Sequence, residues 1–161
     1  WIIELYKKWA AQKLVNKAVV IYATMWHSTE KMARVIGETL AESGVRTSLL
    51  SMNHFHRSQA AYEVLEAGAL VIGTSTLNNN MLPQMVDTMT YLKGLKPANL
   101  IGAAFGSFGW SGEAVKMIED RLRSLKLKTF EPGYKVTFTP TETDLNAARG
   151  FGQKFVEALF V

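Results

Sequence analysis

The chain contains no cysteine. Disulfides, thiol nucleophiles and cysteine-ligated zinc or iron–sulfur clusters are therefore excluded together. Any redox role must come from a bound organic group or from a partner. Long apolar runs are also missing: no stretch approaches the length that crosses a bilayer. The first residues lack the basic-then-apolar pattern of a signal peptide. No membrane partner is expected, and cytoplasmic is the default location. Low-complexity tracts and internal repeats are absent as well. What remains is 161 residues, nearly half hydrophobic and one fifth charged. That is enough for one domain with a two-sided core and too little for two ordinary ones.

The formal charge is +4, yet no basic stripe with interleaved aromatics carries it. Basic residues sit beside acids, as in "EDRLRSLKLK". A dispersed excess of this kind is a solvated surface, so no nucleic-acid partner is expected.

The chain opens "WIIELYKKWAAQKL" without an initiator methionine. Trp1, Leu5 and Trp9 recur at four-residue spacing, with Ile2, Tyr6 and Ala10 beside them, which predicts an amphipathic helix. Residues 1–15 are expected to connect to an upstream domain, and residues 16–161 to form the domain proper. The plainer alternative is a helix folded back on its own domain.

Downstream, "AVVIY", "ALVIG" and "NLIGAAF" are unbroken apolar runs of the kind buried on both faces of a parallel sheet. "VRTSLLSM" alternates enough to be the second strand, nearer an edge. A fifth strand is expected within "KTFEPGYKVTF", interrupted at Pro132-Gly133. Between them lie helical patterns. Met32, Val35, Ile36 and Leu40 share a face that stops at Gly44. Ser58 is the expected cap of "QAAYEVLEA". Pro83 opens a helix expected to end at Gly94 and Pro97. Val115, Ile118, Leu122 and Leu125 are in step, and Thr141 with Asp144 predicts a capping box. Strand and helix alternate five times, which argues a doubly wound α/β fold with a parallel sheet covered on both faces. Chemistry is then expected at the carboxyl ends of strands one, three and four.

Those three loops are "ATMWHSTE", "TSTLNNNMLP" and "GSFGWSGE". They hold hydroxyls, asparagines, glycines and aromatics with scarcely a charge. The first two offer only His27 and Glu30 for acid or base work, so binding is expected rather than hydrolysis. The first loop has no glycine, but Thr24, Ser28 and Thr29 surround the start of a helix whose free N–H groups and dipole favour an anion. Ser28 or Thr29 taken singly would be an N-cap; three hydroxyls around one turn read as a phosphate cradle. In the third loop, glycines allow close backbone approach and Trp110 offers a flat apolar surface. In the second, Asn78, Asn79 and Asn80 tolerate left-handed backbone and offer amides, although asparagines alone are an ordinary turn signal. Phosphate at one end and a polar aromatic ring at the other describe flavin mononucleotide (FMN).

At this point the chain resembles the flavodoxins, and more closely the flavodoxin-like domain of the flavodiiron proteins (A-type flavoproteins). "TMWHSTEKMA" is similar to that family's phosphate loop, "TLNNNMLP" to its second flavin loop and "IGAAFGSFGWSGEAVK" to its third. "YLKGLKPANLIGAAFG" and "PTETDL" are similar too. The resemblance spans roughly residues 16 to 161 and implies a five-stranded sheet in the order 2-1-3-4-5 with FMN as an electron carrier. It implies that Thr24, Met25, Trp26, His27, Ser28 and Thr29 cradle the phosphate. Thr76, Leu77, Asn78 and Asn79 would contact ribityl and ring, and Ser107, Phe108, Gly109, Trp110 and Gly112 would border the ring. Asn78 or Asn79 is the candidate for a peptide beside the flavin that reorients with oxidation state. Two positions depart from the family: Ser75 stands where proline is usual, and Ala23 where aspartate is common.

In the flavodiiron proteins FMN passes electrons to a diiron centre in a separate β-lactamase-like domain that reduces oxygen or nitric oxide. That domain's metal motif is absent here; His54-Phe55-His56 has no nearby carboxylate pair and reads as a solvated loop. The chain by itself is not expected to be a complete oxygen or nitric oxide reductase. The resemblance implies a donor such as rubredoxin or a flavin reductase, and leaves room for a homo-oligomer. A flavodoxin-like NAD(P)H:quinone oxidoreductase is the alternative, although nothing marks a nicotinamide or quinone site. A receiver-type signalling domain would need acidic residues where "YATMW" and "GTSTL" stand.

Overall fold

Strand β1 (Lys17–Ala23) is buried along its whole length in the computed structural model, which describes residues 1–13 and 15–161. Successive side chains point to opposite faces of a strand. Ala18, Val20 and Tyr22 accordingly enter one core, and Val19, Ile21 and Ala23 the other. Helix α2 (Ser28–Glu42) leads to β2 (Arg46–Ser51), whose outer residues are partly exposed as befits an edge. Then follow α3 (Arg57–Val64), β3 (Ala69–Leu77), a two-residue strand β4 (Asn80–Met81) and α4 (Pro83–Leu95). The chain closes with β5 (Ile101–Phe108), α5 (Glu113–Ser124), β6 (Lys128–Thr137) and α6 (Glu142–Leu159). The sheet order is β2-β1-β3-β5-β6, every adjacent pair parallel, with β4 added antiparallel to β3. Counting parallel strands alone, this is the expected 2-1-3-4-5. One core lies under α2 and α6, the other under α3, α4 and α5.

Several local expectations are corrected. His56, not Ser58, caps α3: its ring nitrogen accepts from the Ser58 N–H at 3.3 Å. A histidine in extended backbone reaches the same orphan donor that a serine would. Gly94 lies inside α4, and Lys96 takes the left-handed closing position with φ 48°. β6 runs through Pro132-Gly133 as one strand, and the irregularity appears as a register shift opposite Ala103 and Phe105. A side chain at Gly133 would sit 2.6 Å from the Ala104 carbonyl oxygen, so close strand approach requires glycine there. The Thr141–Asp144 capping box is present.

The amino-terminal helix α1 (Ile2–Ala11) forms as its spacing predicts, but it buries no side chain among the described residues. Its anchor is polar: the Trp9 indole donates to Glu66 at 3.3 Å. Among the described residues no helix is long and apolar enough to cross a membrane.

Candidate functional site

Where β1 ends, Asn53 grips the next residue from both sides. The Thr24 N–H donates to Asn53 Oδ1 at 3.0 Å, and Asn53 Nδ2 donates to the Thr24 carbonyl at 2.9 Å. The primary amide thus acts as a surrogate strand and fixes where the first loop leaves the sheet. His27 then turns left-handed (φ 64°) as the N-cap of α2 and makes no side-chain cap bond. Ser28 and Thr29 are therefore the first helical residues and not caps. The first turn's bond runs from Lys31 N–H to the His27 carbonyl, so the N–H groups of Ser28, Thr29 and Glu30 have no intrahelical acceptor. In the same loop, Thr24 Oγ1 is buried with no hydrogen-bond partner among the described residues.

The His27 ring donates from Nδ1 to Glu30 at 2.6 Å, while Arg34 holds the other Glu30 oxygen at 2.7 Å. These bonds, His27 first and Arg34 second, hold the Glu30 carboxyl below its ordinary value. The acid is thereby kept as an anion on the flank of α2.

The second loop is a two-residue hairpin. Asn78 and Asn79 both adopt positive φ (49° and 57°), between the paired residues Leu77 and Asn80. Two consecutive left-handed residues make the type I′ turn that matches strand twist, and asparagine tolerates it. The Ser111 hydroxyl donates to Asn79 Oδ1 at 3.3 Å, linking the second loop to the third. Deeper, Thr29 Oγ1 lies 2.9 Å from both Ser75 Oγ and Ser107 Oγ, which are 3.3 Å apart.

Between the loops is a cavity of about 330 Å³ lined by Met25, Trp26, Ser28, Ser75, Thr76, Ser107, Phe108, Gly109, Phe138 and Thr139. No charged side chain lines it among the described residues. Of the expected contacts, Met25, Trp26, Ser28, Thr76, Ser107, Phe108 and Gly109 stand on its wall. Thr24 and Thr29 are buried behind the wall, and Leu77, Asn78 and Asn79 lie in the adjoining hairpin. Trp26 and Trp110 are 84% and 97% exposed, so neither is a core tryptophan. Gly112 packs close to Phe108, whose ring carbon would be 2.9 Å from an added Cβ. Sequence reasoning missed Asn53, Phe138 and Thr139, and gave Ser75 no contact. Asn53 carries no signal of its own, since an asparagine after a strand is ordinary. A larger hollow of about 450 Å³ lies at the amino-terminal ends of the strands, near Lys17, Ile101, Lys128 and Leu159. The free N–H groups and the unpaired hydroxyl are all at the other end, where this topology binds ligands.

The flavodoxin family profile matches residues 20–152. The chain is a flavodoxin-family domain. It is 41% identical over 157 residues to the rubredoxin-oxygen oxidoreductase of Megalodesulfovibrio gigas, covering 98% of this chain and 39% of that protein. With the nitric oxide reductase of Moorella thermoacetica it shares 39% identity over 154 residues, covering 95% of this chain and 39% of that protein. The crystal structure of the flavodiiron protein from Giardia intestinalis superposes with a TM-score of 0.92 at 29% identity, covering 98% of this chain and 40% of that one. The flavodoxin domain is thus homologous to one part of the flavodiiron proteins, as the three loops led us to expect. It spans about two fifths of the length of the curated relatives it matches.

Proposed function

We propose that this flavodoxin domain binds FMN and carries electrons as the flavin module of a flavodiiron-type system. The observation that carries the reading is Thr24 Oγ1, a buried hydroxyl without a partner among the described residues, in the loop that leads to the unpaired N–H groups of α2. A buried hydroxyl with no acceptor costs about 1–3 kcal/mol, and an acceptor-rich dianion removes that cost. The uncharged cavity wall fits the rest: a helix terminus and hydroxyls can hold phosphate without a fixed cation.

In this reading Thr24 and Ser28 donate to the phosphate with the N–H groups of the first turn, and Thr29 lies behind them. Met25 and Trp26 flank the loop, and His27 keeps its turn. Thr76, Leu77, Asn78 and Asn79 follow the ribityl chain and ring edge. Ser107, Phe108, Gly109, Trp110 and Gly112 border the ring. Bound flavin supplies reversible one- and two-electron chemistry; the chain orients it and keeps one edge within reach of a partner. The names of the relatives support rubredoxin as the donor, and a flavin reductase is the other donor that the family resemblance implies. They also support a companion diiron domain and oxygen or nitric oxide as the final acceptor. Residues 1–15 then act as the connector and residues 16–161 as the flavin module; the unburied faces of α1 agree with that role.

The test is a titration of the purified apoprotein with FMN, followed in the visible spectrum and by flavin fluorescence. Saturable binding at micromolar FMN is expected. Absence of binding at that concentration refutes the proposal.

A further inference from the structure

The connection from β6 to α6 contributes Phe138 and Thr139 to the cavity wall, although it is none of the three expected flavin loops. Phe138 holds φ 60°, in the left-handed region. Among the described residues, every other non-glycine residue with positive φ is polar or charged. A bulky apolar side chain is out of place there, because its Cβ crowds the following carbonyl oxygen. Glycine or asparagine would take the same backbone with little strain.

The backbone cannot relax, since it is pinned on both sides. The Phe138 N–H donates to the Phe108 carbonyl at 2.7 Å, one step beyond the pairing of Phe108 with Thr137. Val136 before it and Pro140 after it are buried, and Thr141 then caps α6. Strain of this kind persists where the surroundings over-determine it, and it clusters at ligand clamps and active sites. Core packing gives no other reason for the ring. It is 66% exposed and belongs to neither core. It stands against the third loop, where a Cβ added at Gly109 would lie 3.5 Å from it. An exposed apolar ring on a cavity wall leaves water only when the cavity is filled.

We propose that Phe138 is a ligand-contact residue: the β6–α6 connection is a fourth wall of the flavin site, and the uncharged part of the bound flavin covers the Phe138 ring. The strained backbone holds the ring in place before any ligand arrives. An aromatic face is electron-rich and offers nothing to a phosphate, so the contact belongs to the part that FMN and riboflavin share. This deepens the FMN reading and rests on it.

The experiment compares wild type with two variants. Phe138→Asn accepts the left-handed backbone and removes the ring, whereas Phe138→Leu keeps both the apolar bulk and the strain. The thermal midpoint of each apoprotein is measured, and FMN and riboflavin are titrated separately. Phe138→Asn is expected to raise the midpoint by about 2–4 °C, as relief of such strain does in a domain of this size. It should weaken both flavins by a common factor of about ten, the worth of covering roughly half of a phenylalanine side chain. Phe138→Leu should keep the wild-type midpoint and bind both flavins within a factor of about three of wild type. Unchanged flavin affinity in Phe138→Asn overturns the proposal. A loss confined to FMN does so too, because it places the effect at the phosphate. A midpoint that stays level or falls, or failure to fold, makes the ring structural and overturns the proposal equally. Wild type that binds neither flavin refutes the FMN reading and this contact together, whereas wild type and Phe138→Asn binding alike refutes the contact alone.

Discussion

Thr24 and Thr29 have the same chemistry and flank the same turn, yet the fold leaves their hydroxyls in different states. Thr24 Oγ1 is buried and unpartnered among the described residues, whereas Thr29 Oγ1 is bonded twice. Thr24→Val should therefore cost the apoprotein no stability. It should weaken FMN by roughly tenfold or more, the worth of a hydrogen bond to a charged group at about 1.5–3 kcal/mol. Riboflavin, lacking the phosphate, should bind both proteins alike in the same titration. Glu30 offers a pH test. Its carboxyl is held low by His27 and then Arg34, so its native value lies below that of the unfolded chain, about 4.3. The stabilisation is then complete above that unfolded value and disappears as pH falls through the native one. Thermal unfolding measured between about pH 6 and about pH 3 should fall more steeply for wild type than for Glu30→Gln. The hydroxyls of the first loop were legible in sequence, because three of them flank one turn. Their different bonding was not, because it depends on Ser75 and Ser107, which are 46 and 78 residues from Thr29.

Among the elements, the β3–β4 hairpin is the one whose backbone demands most of its sequence. Asn78 and Asn79 both hold positive φ, a region costing ordinary residues about 1–2 kcal/mol each and β-branched ones no less. Replacing both with valine should lower the thermal midpoint and loosen flavin binding. Replacing both with glycine should preserve stability, since glycine adopts that backbone freely. Differential scanning fluorimetry with and without FMN separates the two effects. The asparagine run announced this turn, but the short strand after it was invisible: Met81 pairs with Thr76 only because the turn folds it back. Helix ends show the same limit. Gly94 had the right composition for a stop, but α4 continues to Leu95 and closes at Lys96. Ser58 was the conventional cap, yet His56 stands one step ahead of the helix and takes the donor.

For the whole molecule, packing within one face of the sheet lies directly under the site. Beneath the hydroxyls of Thr29, Ser75 and Ser107 the layer is one large ring against one missing side chain, Phe105 against Gly73. Gly73→Ala forces the Phe105 ring to move and should destabilise the domain by about 1–3 kcal/mol, as overpacking does in a filled core. Because Ser107 lies two residues beyond Phe105 on the same face, FMN affinity should fall with it. Urea midpoints and a flavin titration on one preparation would show both. At this scale the amino-acid sequence determined the layered architecture: five strand segments, three of them unbroken apolar runs, alternating with amphipathic helices leave few ways to cover a sheet on both sides. The sequence likewise determined which loops share one end of the sheet, since in a parallel sheet every strand leaves for its helix from the same end. Tertiary structure alone decided how those loops are joined. Register across β3 and β5, the crossing of α2 and the reach of Asn53 are long-range facts, set by packing between segments that carry no local signal of one another.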